Sequence, residues 1–125
     1  TMDLLKRIKE RSEKEYEDLM RFFHSLPYIA FCGPYVFTHA GFWEDRTLAE
    51  QKGDMLWLRE KFYRGYQGER TVVVGHTPVQ FFGTSECKPV FFDNHIIDID
   101  TGSYLRKGRI SCMDLKTKQI WQSDI

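Results

Sequence analysis

The stretch Val72-Val73-Val74-Gly75-His76-Thr77-Pro78 decides how the chain is read. Three β-branched residues in a row predict a short strand buried on both faces, and the Gly-His-Thr-Pro that follows cannot continue it. A histidine is therefore delivered at a strand end, where a metal or substrate can reach the ring. Working outward, Phe37-Thr38-His39-Ala40-Gly41 repeats the order of strand, histidine and glycine, and Asp98-Ile99-Asp100-Thr101-Gly102 runs a third strand into a polar turn.

If these three strands are neighbours, two imidazoles and a carboxylate meet at one sheet edge. Imidazole is the commonest side-chain ligand of divalent first-row metals, and a carboxylate nearby can fix the ring tautomer. Two histidines make half a site, because catalytic metal centres take three or more protein ligands. Nucleophilic cysteine chemistry fits less well, since neither Cys32 nor Cys112 adjoins a glycine turn that would expose it. No G-x-S-x-G elbow and no Walker-type or G-x-G-x-x-G phosphate loop is present.

Around these motifs the chain alternates helix and strand signals. Residues 3–26 read as one helix or two, with Ser12 and Glu15 at capping-box spacing and Tyr16, Leu19, Met20 and Phe23 as a buried stripe. After Pro27, the runs Tyr28–Cys32 and Tyr35–His39 flank Gly33-Pro34 as a hairpin. Thr47 and Glu50 predict a short helix stopped by Gly53, and Asp54 predicts a cap for a second helix over Met55–Tyr63. Arg59 falls among the apolar residues of that helix, either stacked and snorkelling or aimed at an anion. Pro89–Phe92 and Ile96–Ile99 read as strands around Asp93-Asn94, with His95 a turn residue. Arg109–Leu115 and Gln119–Trp121 form a last hairpin.

With 125 residues the chain suits a single domain, burying roughly two thirds of its unfolded surface. Charged residues balance to a net charge of zero, so no basic excess is present to displace counterions from nucleic acid. No apolar run approaches the roughly 20 residues needed to span a bilayer. Three scattered cysteines and no secretory h-region at the start suit a reduced, cytoplasmic setting.

The motifs Val36-Phe37-Thr38-His39-Ala40-Gly41, Leu56-Trp57-Leu58-Arg59-Glu60, Val74-Gly75-His76-Thr77-Pro78 and Ile99-Asp100-Thr101-Gly102 together resemble the calcineurin-like metallophosphoesterases, in particular their bacterial and phage serine/threonine protein phosphatases. The resemblance implies an α/β fold, the C-terminal half of a two-sheet sandwich with flanking helices. It also implies that His39 and His76 ligate one of two divalent ions of the manganese, iron, zinc or nickel class. Arg59 would bind the substrate phosphate, and Asp100 would stabilise the turn near the metal edge. The family's D-x-H, G-D-x-x-D-R-G and G-N-H-[DE] motifs, which supply the remaining ligands and the general-acid histidine, do not occur in these 125 residues. Residues 1–125 thus resemble the C-terminal part of a calcineurin-like metallophosphoesterase domain whose N-terminal metal-binding half is absent from them.

The activity implied for the complete enzyme is in-line attack of metal-activated water on a phosphate monoester, a phosphoprotein in the branch the motifs resemble, with this chain inactive alone. The same fold also hosts symmetrical dinucleoside tetraphosphate hydrolases. A third expectation is a non-catalytic fragment that self-associates through an uncovered sheet.

Overall fold

A computed structural model describes residues 2–84 and 86–124 of the chain. Its elements run α1 (Met2–Arg11), α2 (Glu13–Ser25), β1 (Ile29–Cys32), β2 (Tyr35–Thr38), α3 (Lys52–Trp57), α4 (Glu60–Gly65), β3 (Thr71–Val74), β4 (Val90–Phe92), β5 (Ile96–Asp98), β6 (Ser111–Met113) and β7 (Ile120–Gln122). A 3-10 turn at Val79–Phe82 lies between β3 and β4. The chain is mixed α/β, with a five-stranded sheet in the order β1-β2-β3-β5-β4 and a separate β6-β7 hairpin. None of the described helices is long and apolar enough to cross a membrane.

Why the sheet takes this form follows from where apolar residues continue without a break. Val72, Val73 and Val74 are all buried, which suits a central strand with both faces covered. On one side β3 pairs in parallel with β2, and on the other in parallel with β5. The edges are antiparallel: β1 returns on β2 through the Gly33-Pro34 turn, and β4 returns on β5 through Asp93–His95. Gly33 and His95 both have left-handed backbones, at φ 56° and 67°, as tight hairpin turns require.

The core lies between one sheet face and the segment that crosses from β2 to β3. Val36, Val72, Val74 and Ile96 on the strands meet Leu58, Phe62, Tyr63 and Tyr66 from that crossover, with Ala40 and Phe42 between them. Phe62 sits at the centre, its ring tilted against Tyr63 and Tyr66 and edge-on to Trp43. Gly41 lies against this packing: a Cβ there would come within 2.8 Å of Leu58 and 2.9 Å of Phe62.

Several expectations are corrected. The Met55–Tyr63 helix is two helices, α3 and α4, separated at Leu58 and Arg59, whose backbones are non-helical. An uninterrupted helix would place Arg59 four residues after buried Met55, on the inward stripe, and burying an unpaired guanidinium there is unfavourable. The break lets Leu58 enter the core while Arg59 turns to solvent. Asp54 lies inside the first turn of α3 and does not cap it; its carboxylate accepts from Trp43 Nε1 and Arg46 Nη1.

Thr47 and Glu50 do form the reciprocal pair of bonds of a capping box. That box closes a turn rather than a helix, and Gly53 lies within α3 instead of stopping a helix.

At the N-terminus, Ser12 caps α2 by accepting from the Glu15 amide, but Glu15 directs its carboxylate to Arg11 and leaves the box half made. Neither α1 nor α2 contains a buried residue: of the stripe, Tyr16, Leu19 and Met20 are only partly covered and Phe23 is exposed. The physical reason is that these helices pack chiefly on each other and not on the sheet.

Candidate functional site

The parallel strands β2, β3 and β5 are adjacent, and each leads at its C-terminal end into one of the three polar turns. His39 follows β2 directly, His76 follows β3 after Gly75, and Asp100 follows β5 after Ile99. All three line one open groove with Val73, Val74 and Phe37 at its floor. Parallel strands present their C-terminal ends on the same side, which is why separate segments of sequence converge here.

Backbone hydrogen bonds clamp the three turns to one another. The Gly75 amide donates to the His39 carbonyl at 2.9 Å, and the Val79 amide donates to the Asp100 carbonyl at 2.9 Å. The Ala40 amide donates to the Met55 carbonyl at 2.8 Å, fixing the turn after β2 to α3. A Cβ at Gly75 would make only ordinary contacts, 3.5 Å from the Asp100 side chain and 3.9 Å from the His39 carbonyl, so the backbone bonds rather than sterics set this approach. His76 itself has φ 68°, a left-handed conformation unusual for a residue with a side chain. The Thr77 amide donates back to Gly75, tightening the turn beneath it.

The result is a pair of imidazoles tilted against each other, with 59° between their planes and 4.7 Å between their centroids. His39 Nε2 and His76 Nδ1 are 2.9 Å apart, and the edge of Trp57 contacts the His76 ring at 5.6 Å between centroids. Burial holds His76 below the ordinary imidazole range, and the charges of Arg59 and His39 act in the same direction. Asp100 and the Trp57 backbone oppose them by smaller amounts. Its Nε2 is buried without a hydrogen-bond partner. The neutral ring is therefore the favoured state, and the tautomer decides which of the two facing nitrogens donates.

Such a pair can share one cation. Two nitrogens that each lie about 2.1 Å from one ion, at a right angle, are separated by about 3 Å. The donor set and its spacing therefore fit two positions of a divalent metal's shell. Among the described residues no group of three or more His, Cys, Asp and Glu is placed to hold an ion.

Arg59 reaches this centre from the break between α3 and α4. Its Nη1 donates to the His76 carbonyl and to Thr77 Oγ1, both at 3.2 Å, while the residue stays exposed. Asp100 spends one carboxylate oxygen on the Gly102 amide at 2.9 Å, shaping the turn in which Gly102 takes φ 67°.

Two buried polar residues escaped the sequence reading, one beneath the site and one in the crossover before α3. Asp98 is fully buried beneath the third turn, accepting from Tyr63 Oη at 3.0 Å and from the Asp100 amide at 2.9 Å. Burial pushes its carboxyl up to about 7, with nearby Asp100 adding to the rise, and burial likewise raises Tyr63. Its signal was an acidic residue on the inward side of an apolar strand. Gln51 is also fully buried; it accepts from the Trp43 amide and donates to the Trp43 and Arg46 carbonyls. Nothing in local periodicity marks it. Comparison with protein-family models, curated proteins and solved structures yields no match to the chain.

Proposed function

We propose that the chain forms part of a metal-dependent phosphoesterase of the calcineurin-like kind, as the C-terminal portion of its two-sheet sandwich. His39 and His76 hold one divalent ion, of the manganese, iron, zinc or nickel class, and Arg59 holds the phosphate of a monoester, a phosphoprotein in the branch the motifs resemble. The reading is carried by one observation: two imidazole nitrogens 2.9 Å apart, with a guanidinium bonded to the same turn. A divalent ion bound there supplies Lewis-acid polarisation and ionises water near neutral pH.

The chain's own residues bind and orient. His39 and His76 offer lone pairs from two strand ends clamped together through Gly75, so their separation is set before an ion arrives. Arg59 uses one nitrogen on the His76 turn and keeps the rest of its planar fork for phosphoryl oxygens, a geometry that suits charge building on a transferring group. Asp100 shapes the neighbouring turn. A bridging carboxylate and a general-acid histidine are not supplied by the motifs present, so hydrolysis needs them from another segment.

Titration calorimetry with Zn²⁺ or Mn²⁺ tests the reading without relying on turnover. The wild-type chain binds one ion, and His39→Ala or His76→Ala weakens binding at least about tenfold. Wild-type affinity retained in either variant overturns the assignment. The chain alone leaves p-nitrophenyl phosphate intact in the same buffer.

A second reading, self-association, is favoured by the apolar residues beside β1. Phe22, Phe23, Leu26, Tyr28 and Phe31 are all exposed, and β1 has a partner on one side only. Sedimentation velocity across a concentration series separates a dimer from a monomer.

A further inference from the structure

Arg59 stands on a divide. On one side lies the groove of the two histidines, and on the other a cavity of about 560 Å³ that Arg59 lines together with Tyr63, Thr77, Phe81, Phe82 and Phe92. Small-molecule sites commonly occupy about 300–1,000 Å³ and combine aromatic walls with a few fixed polar groups. This cavity has both.

Three of its rings form a fixed wall. Tyr63 lies 4.9 Å from Phe82 and 4.9 Å from Phe92, and Phe82 lies 5.2 Å from Phe92, each pair tilted or edge-on. Phe81 is different: it is 62% exposed and has no aromatic partner among the described residues. The 3-10 turn holds it in place, its amide donating to the Pro78 carbonyl at 2.9 Å.

Charge at the cavity is also asymmetric. Glu60 and Arg64, which also line it, pair with each other at 2.6 Å, so Arg59 is the lining charge without a carboxylate partner among the described residues.

We propose that this cavity receives the aromatic ring of an aryl phosphate ester whose phosphoryl group Arg59 holds. The proposal rests on the phosphate-binding role of Arg59 and adds to it the chemical class of the esterified group. A ring placed beside Phe81 meets an aromatic face that is otherwise in water, while its phosphate stays within reach of the guanidinium. An alkyl ester holds its phosphate equally well but leaves Phe81 solvated. The cavity therefore discriminates by ring, and Arg59 by charge.

The test is an NMR titration of the whole chain in Zn²⁺ buffer with phenyl phosphate and, separately, methyl phosphate. Phenyl phosphate binds roughly 5- to 10-fold more tightly, the gain expected from new ring contacts. Its ring protons show cross-peaks to Phe81 and Phe82. In Phe81→Ala the ratio of the two affinities falls to below about twofold. Phe81→Leu, which keeps apolar bulk at this exposed position, lowers the ratio in the same direction.

Each other outcome overturns something definite. Equal affinities for the two esters, or a preference that survives both Phe81 variants, overturns the ring site and leaves the role of Arg59 standing. Failure of both esters to bind overturns the phosphate role of Arg59 as well.

Discussion

His76 carries a cost that only its ring explains. An L-residue at φ 68° forgoes roughly 1–2 kcal/mol relative to an ordinary backbone, a penalty glycine escapes. His76→Gly is therefore more stable than His76→Ala by about 1 kcal/mol, as urea denaturation will show, although both lose the Trp57 contact. Equal stabilities would mean that the turn is not strained. Gly41 makes the opposite case, where absence of a side chain is the requirement. Gly41→Ala drives a methyl group against Leu58 and Phe62 and destabilises the fold by about 1–3 kcal/mol, read as a lowered urea midpoint. Both positions were visible in the sequence as parts of His-Ala-Gly and Gly-His-Thr-Pro. Their different reasons were not, because neither the sign of φ nor the approach of Phe62 is a local property.

Elements were legible where one local rule governs them and opaque where distant contacts decide. The strands β1 to β5 follow their β-branched and aromatic runs, and the hairpin turns follow Gly33-Pro34 and Asp93-Asn94-His95. The Thr47–Glu50 box misled because its hydrogen bonds serve a turn as well as a helix. The break at Leu58–Arg59 was hidden because it depends on which side of the helix faces Val74 and Phe62. Gln51 organises the loop before that helix: Gln51→Leu leaves the Trp43 amide and two carbonyls without their partner, costing on the order of 3 kcal/mol in thermal or urea unfolding. The α1–α2 pair, by contrast, shows an amphipathic pattern but buries nothing fully. Its amides will exchange with deuterium far faster than those of Val72–Val74, since opening the pair exposes little new apolar surface. Equal protection across both regions would contradict that packing.

For the molecule as a whole, stability and the site meet at Asp98. The strand ends converge on one edge because β2, β3 and β5 are parallel neighbours, and the same convergence buries Asp98 under Tyr63 and the Asp100 turn. Its carboxyl titrates at about 7 when folded, against an ordinary value near 3.8 when unfolded. Between these values the folded chain keeps a proton that the unfolded chain has lost. Unfolding then releases a proton, and stability declines as pH rises from about 4 to about 7, by on the order of 4 kcal/mol. Above that window both states are ionised and this contribution is flat. His76 acts oppositely, since a depressed imidazole favours the folded chain as pH rises toward the ordinary range. Asp98→Asn isolates the first effect: it removes the ionisation while retaining an oxygen that can accept from the Asp100 amide. Urea midpoints measured from pH 4.5 to 8 should fall with rising pH in the wild type. In Asp98→Asn that fall disappears, and the variant is the more stable protein at pH 8. A wild-type profile that runs parallel to that of Asp98→Asn across this range would show that Asp98 is ionised in the folded state throughout.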